Sequence, residues 1–109
     1  MIETTEALSN LDDILSVPGL AGVFVGPNDL AISLGFQPSS APQDQPLVFE
    51  AVKTIAAKAR AKGLIAGIFC VDPITARKMQ ELGFNFVSVG TDSGFATEAA
   101  KNALKASRL

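Results

Sequence analysis

Hydrophobic positions along this chain switch between two periods. Short continuous runs rich in Val, Ile and Phe stand at Gly22 to Val25, Leu64 to Phe69 and Phe84 to Val89, the pattern of parallel strands buried on both faces. Met1 to Glu3 is a fourth, shorter candidate. Between these runs the apolar residues recur at helical spacing. Leu8, Leu11, Ile14 and Leu15 share one face of a first helix, which Thr4 or Thr5 can cap and Pro18-Gly19 stops. Val48, Val52, Ile55 and Ala59 form the stripe of a second, with Glu50 and Lys53 toward water and Gly63 at its C-terminal stop. The third opens on Asp72 as N-cap and Pro73 at N1, continues through Ile74, Met79 and Leu82, and ends at Gly83. A fourth runs from about Gly94 or Phe95 to Ala106, with Ala96, Ala100 and Leu104 on one stripe and Lys101 and Lys105 near its end.

This alternation predicts four βα units in succession, hence an α/β fold built on parallel strands. The segment Phe36 to Pro46, rich in Pro, Ser and Gln, reads as an exposed loop after a short helical turn near Leu30 to Leu34. In such folds the loops at the C-terminal ends of strands carry function. Attention falls on Glu3-Thr4-Thr5, Gly26-Pro27-Asn28-Asp29, Cys70-Val71-Asp72 and Gly90-Thr91-Asp92.

Composition narrows the chemistry. A chain of 109 residues with 48% hydrophobic and 18% charged residues is expected to form one folded unit rather than a disordered or fibrous segment. The net charge of −2, with Lys and Arg scattered, gives no basic patch for nucleic acid. No apolar run approaches the roughly 20 residues of a membrane helix, and Met1-Ile2-Glu3-Thr4 lacks a signal-peptide plan. A single cysteine, Cys70, cannot form an intramolecular disulfide, which suits a reducing cytoplasm or organelle matrix. The chain has no His, so any imidazole base must come from elsewhere. Without one, Cys70 has no partner to activate it as a nucleophile.

Glu3 follows the first strand and Asp29 the second, so a parallel sheet would project both carboxylates at one rim. Two carboxylates there suit an octahedral hard cation such as Mg²⁺. The same spacing also allows Asp29 to be the N-cap of Leu30 to Leu34 and Glu3 to be a solvated first-turn acid. Gly26 permits close backbone approach, and the amides of Asn28 and Asp29 at a helix N-terminus can hold a carboxylate; an ordinary turn is the alternative. Gly90-Thr91-Asp92-Ser93-Gly94 lacks the Lys of a phosphate-binding P-loop. Capping of the last helix by Asp92 or Ser93 explains it better.

Met1-Ile2-Glu3-Thr4, Leu11-Asp12-Asp13-Ile14-Leu15, Val17-Pro18-Gly19-Leu20, Gly22-Val23-Phe24-Val25-Gly26-Pro27-Asn28-Asp29-Leu30 and Gly83-Phe84-Asn85-Phe86-Val87-Ser88-Val89-Gly90-Thr91-Asp92 together resemble the C-terminal half of the HpcH/HpaI aldolase and citrate lyase family. The resemblance covers essentially all of residues 1–109 and implies units five to eight of a (β/α)₈ barrel. It further implies a divalent metal, Mg²⁺ or Mn²⁺ with Co²⁺ or Zn²⁺ accepted by some members, held by Glu3 and Asp29. The amides of Asn28 and Asp29 would grip the carboxylate of a small 2-oxo acid, the pyruvate moiety, in a turn shaped by Gly26 and Pro27. The implied chemistry is class II retro-aldol cleavage of 4-hydroxy-2-oxo acids to pyruvate and an aldehyde, the metal stabilising the enolate.

No catalytic base or strand-end Arg is expected in this chain: the family's Arg and His-containing dyad belong to the first half of the barrel. Arg60, Arg77 and Arg108, like Lys53, Lys58, Lys62, Lys78, Lys101 and Lys105, are expected on helices. Alone, the chain is expected to be inactive. Its open sheet edges are expected to be covered by self-association into a homo-oligomer or by a separate N-terminal half-barrel, the last helix being a further contact. The competing expectation is a non-enzymatic α/β binding or regulatory module, with flavodoxin-like strand order, pairing through its open edge.

Overall fold

A computed structural model of the chain describes residues 1–39 and 41–108. Ser40, inside the expected loop, lies outside the described residues. The strands are β1 (Gly22–Val25), β2 (Ile65–Ile68) and β3 (Phe86–Val87), all parallel and in sequential order β1-β2-β3. The helices are α1 (Thr5–Ser9), α2 (Leu11–Leu15), α3 (Pro27–Ser33), α4 (Pro46–Ala61), α5 (Pro73–Glu81) and α6 (Asp92–Ser107). A 3₁₀ turn, Pro42–Asp44, lies within the loop expected at Phe36 to Pro46.

Three of the four expected strands are shorter than their apolar runs, Leu64 to Phe69 losing one residue at each end. Met1 to Glu3 is not a full strand: Ile2 alone makes an isolated parallel bridge to Val25. The run Phe84 to Val89 contracts to Phe86–Val87 because side chains replace ladder bonds at both ends. Asn85 Oδ1 accepts from Ala66 N–H at 2.9 Å while Asn85 N–H donates to Ala66 O at 3.0 Å. At the other end, Ser88 Oγ accepts from Cys70 N–H and donates to Cys70 O, both at 2.7 Å. Order along the sheet therefore runs Ile2, β1, β2, β3. This is barrel-like succession and excludes the flavodoxin-like order, in which the first strand lies between the second and third.

The first expected helix is two. Asn10 stands between α1 and α2 with φ −96° and ψ 13°, as befits a residue whose amide competes with the backbone for hydrogen bonds. The repeated helix-glycine-strand junctions have a common mechanism. After α4, Gly63 takes φ +71°, its N–H reaches Arg60 O and that of Leu64 reaches Ala59 O; after α5, Gly83 at φ +105° does the same, with Gln80 O and Met79 O as acceptors. Each left-handed glycine satisfies orphan helix carbonyls and turns the chain into the next strand. Lys62 and Arg108 occupy C-caps rather than helix interiors.

The core lies on one side of the sheet. Val48, Val52, Ile55, Ala56 and Ala59 of α4 are wholly buried against β1 and β2, where Val23, Val25, Ala66 and Ile68 meet them. The opposite sheet face carries Phe24, Gly67 and Phe86 in register. The two phenyl rings meet edge to face above Gly67, with centroids 5.7 Å apart and planes at 65°. That face is open, with Ile65 46% and Phe86 63% exposed, so burial on both faces, expected from the apolar runs, holds on one side only. Among its described residues α6 buries none. The radius of gyration is accordingly 16.1 Å, against about 13 Å for a compact domain of this length.

Ile55 is wholly buried. Ile55→Ala is therefore expected to cost about 2–5 kcal/mol, read as a lowered urea midpoint by far-UV circular dichroism.

Candidate functional site

The site at the C-terminal rim of β1 is assembled by short backbone links. Ile2 N–H donates to Phe24 O at 2.8 Å and Gly26 N–H donates to Ile2 O at 3.3 Å, so the residue following Ile2 lies beside the end of β1. On its other side the chain is fixed again. Thr4 caps α1 by accepting from Ala7 N–H at 3.0 Å, and Thr5 N–H donates to Ser33 Oγ at 2.8 Å. Glu3 is thus held between a sheet bridge and a tether to the last residue of α3.

Gly26 is the junction. A Cβ built there would stand 2.6 Å from Glu3 Oε2, so the missing side chain is the space that the Glu3 carboxylate fills. The same glycine is the N-cap of α3, with Pro27 at N1. Asp29 is thus the third residue of this helix and not its cap, a correction to one of the two readings of the sequence. Leu30 N–H is spent on Gly26 O at 2.9 Å and Pro27 has no N–H. Only the amides of Asn28 and Asp29 remain as first-turn donors without an acceptor in their own helix. A hollow of about 210 Å³ opens in front of them, lined by Met1, Phe24, Gly26, Pro27, Asn28, Asp29 and Phe69.

All five expected site residues therefore meet at one corner. Gly26, Pro27, Asn28 and Asp29 line the hollow, and Glu3 lies against Gly26. Among the described residues no group of three or more Asp, Glu, Cys or His gathers in a metal-holding arrangement; Glu3 and Asp29 form a pair. The apolar wall of Met1, Phe24 and Phe69 went unread in the sequence. Alternation along β1 could have found Phe24, because Val23 and Val25 take the core-facing positions.

The remaining rim segments are structural. Cys70 is buried, and burial first, then the negative charge of Asp72, pushes its thiol up to about 11, in keeping with a cysteine that no neighbouring group activates. Asp72 caps α5 by accepting from Thr75 N–H at 2.8 Å; hydrogen bonds from Thr75 hold its carboxyl below the usual value. The cap of α6 is Thr91, whose Oγ1 accepts from Gly94 N–H at 3.0 Å, rather than Asp92 or Ser93. The ring of Phe95 packs over Gly90, where a Cβ would collide with it.

The family model of HpcH/HpaI aldolase/citrate lyase matches residues 1–99. The chain belongs to this family. It is 41% identical over 108 residues to the hydroxypyruvate/pyruvate aldolase of Rhizorhabdus wittichii, covering 99% of this chain and 43% of that relative. With the 2-keto-3-deoxy-L-rhamnonate aldolase of Salmonella paratyphi A it shares 43% identity over 103 residues, 94% of this chain and 38% of the relative. The crystal structure of an HpcH/HpaI aldolase/citrate lyase family protein from Burkholderia cenocepacia superposes with a TM-score of 0.89 at 30% identity, covering 99% of this chain and 41% of that one. The chain thus spans about two-fifths of the HpcH/HpaI proteins it matches, and its fold is the corresponding part of their (β/α)₈ barrel.

Two outcomes follow for this corner and its neighbour. Cys70 should resist alkylation at pH 8 in the folded chain and react once urea unfolds it. Because the folded thiol titrates about 11 against 9.0 for a free one, the unfolded chain loses this proton first. Stability from this group is complete below pH 9 and is lost as pH rises toward 11, measurable as a falling urea midpoint that Cys70→Ala abolishes.

Proposed function

We propose that this chain forms the metal- and carboxylate-binding corner of a class II aldolase that cleaves 4-hydroxy-2-oxo acids to pyruvate and an aldehyde. The observation that carries the reading is the Gly26 turn, which places a space filled by the Glu3 carboxylate beside two first-turn amides and Asp29. The donor set suits a hard divalent ion such as Mg²⁺ or Mn²⁺: two carboxylates, no thiolate and no imidazole. Co²⁺ or Zn²⁺ could occupy the same donors, selection among them resting on geometry and availability rather than on affinity. When bound, the cation would supply Lewis-acid stabilisation of the negative charge that develops on the 2-oxo group during C–C cleavage.

The chain's own residues then divide the remaining work. Glu3 and Asp29 hold the ion. The amides of Asn28 and Asp29 donate to the substrate carboxylate, and the helix N-terminus favours its charge. Gly26 keeps the approach open, since any Cβ would displace Glu3. Met1, Phe24 and Phe69 exclude water from one side of the hollow, strengthening the polar contacts on the other. Proton transfer needs a group this chain lacks. It has no His, and Arg60 and Arg77 lie in α4 and α5 rather than at a strand end. The base and an Arg that stabilises the enolate are assigned to the first half of the barrel, with this chain as units five to eight. The described residues include no helix long and apolar enough to cross a membrane; a cytoplasmic location is part of the proposal.

Mn²⁺ titration followed by electron paramagnetic resonance tests the corner directly. Glu3→Gln and Asp29→Asn are each expected to weaken binding by about 10- to 100-fold or more, Gly26→Ala to weaken it through the displaced Glu3, and Glu50→Gln to leave it unchanged. Equal affinity across the series would end the metal assignment. Metal-dependent pyruvate release by this chain alone is expected to stay at background, and turnover above it would show that the base lies within these residues.

A further inference from the structure

Serines near helix C-termini can bond back to their own helix, and three in this chain do so. Ser9 Oγ donates to Thr5 O at 2.8 Å, Ser16 Oγ to Asp12 O at 2.7 Å and Ser107 Oγ to Leu104 O at 2.9 Å. Ser33, the last residue of α3, spends its hydroxyl on another element. It accepts from Thr5 N–H at 2.8 Å and donates to Thr5 Oγ1 at 3.3 Å, so both functions of one hydroxyl are committed to one residue. Thr5 opens α1, and its N–H is a first-turn donor that its own helix cannot satisfy.

We infer that Ser33 is a positioning residue for the cation: by clamping Thr5 it fixes Glu3, just upstream, against the helix that carries Asp29. The inference rests on the assignment of Glu3 and Asp29 as the metal-holding pair. Helical spacing supports it first. Ser33 follows Asp29 in α3 by four residues, hence on the same face one turn later. The segment from Glu3 to Thr5 touches both ends of that helix, Glu3 Oε2 against Gly26 at the N-cap and Thr5 against Ser33 at the last turn. Weak anchoring elsewhere supports it next. α1 has five residues and buries none of them, and a helix so short does not hold itself in place. Upstream of Glu3 the chain is fixed by the Ile2 bridge to Val25; downstream, the bond to Ser33 joins it to α3. A carboxylate fixed on both flanks loses less freedom when an ion binds. That matters most for a small hard cation such as Mg²⁺, which demands near-ideal placement of its oxygens. Ser33 acts through Thr5 and Glu3, with no contact of its own to the ion.

Mn²⁺ titration followed by electron paramagnetic resonance, with far-UV circular dichroism of each variant, tests this on the whole 109-residue chain. Ser33→Ala is expected to weaken Mn²⁺ binding by about 2- to 10-fold, the net contribution of a lost hydrogen bond. Ser33→Thr, which keeps the hydroxyl, is expected to restore the wild-type affinity. Ser9→Ala removes a serine hydroxyl bonded within α1 and is expected to leave affinity unchanged. In the metal-free chain, backbone nitrogen relaxation is expected to show a lower order parameter at Glu3 in Ser33→Ala and the wild-type value in Ser33→Thr. Where wild type binds Mn²⁺ and Glu3→Gln weakens it, four results overturn this inference and leave the metal assignment standing: wild-type affinity in Ser33→Ala, an equal loss in Ser33→Thr, an equal loss in Ser9→Ala, or an unchanged order parameter at Glu3. A wild type that binds no Mn²⁺, or binds it no better than Glu3→Gln does, overturns the metal assignment and with it the role given to Ser33.

Discussion

Burial of one stripe of α4 against β1 and β2 is the contact on which the rest of the molecule is arranged. Parallel strands cannot be joined by a tight turn, so each must return through a crossover. Val48, Val52, Ile55, Ala56 and Ala59, all wholly buried, dock that crossover on Val23, Val25, Ala66 and Ile68. Once they are in place, alternation forces Phe24 to the other face. It also sets Gly67 in register with Phe24 and Phe86, where a Cβ would stand 2.5 Å from Phe24 Cδ2. The glycine is therefore a requirement of two rings packing over the middle strand.

The candidate site inherits its precision from the same sheet. β1 ends at Val25, Gly26 turns the chain into α3, and the bridge at Ile2 brings Glu3 beside that turn. The tether from Thr5 to Ser33 ties the segment after Glu3 to the far end of the helix that carries Asp29. Two carboxylates separated in sequence are thus fixed relative to one rigid element. Rigid support of this kind is what the proposed metal and carboxylate site would require. The sequence has no His, and among the described residues no Arg stands at a strand end.

Much of this was legible in the residues because it follows from local rules. Apolar stripes located α4, α5 and α6; Asp72-Pro73 and the two glycines Gly63 and Gly83 marked helix boundaries through hydrogen bonds made within a few residues. Glu3, Gly26, Pro27, Asn28 and Asp29 were legible as candidates from their places after strands. The break at Asn10 was not, since the periodic stripe of Leu8, Leu11, Ile14 and Leu15 runs straight across it. Nor was the shortness of β3, whose ends are finished by the Asn85 and Ser88 side chains reaching Ala66 on β2 and Cys70 just past its end. Such bonds depend on which residue lies across the sheet.

The sequence by itself determined the parallel α/β class, the C-terminal stops of α4 and α5 and the chemical character of the rim, because periodicity, capping and glycine conformation are properties of neighbours along the chain. Only the tertiary structure decided that Gly26 is the space for the Glu3 carboxylate, that Asp29 is inside α3 rather than its cap, and that one sheet face is left open. An apolar run reads the same whether one face or both are covered. Which face meets α4 and which stays open depends on strand order and register, and those are fixed by contacts between residues far apart in the chain.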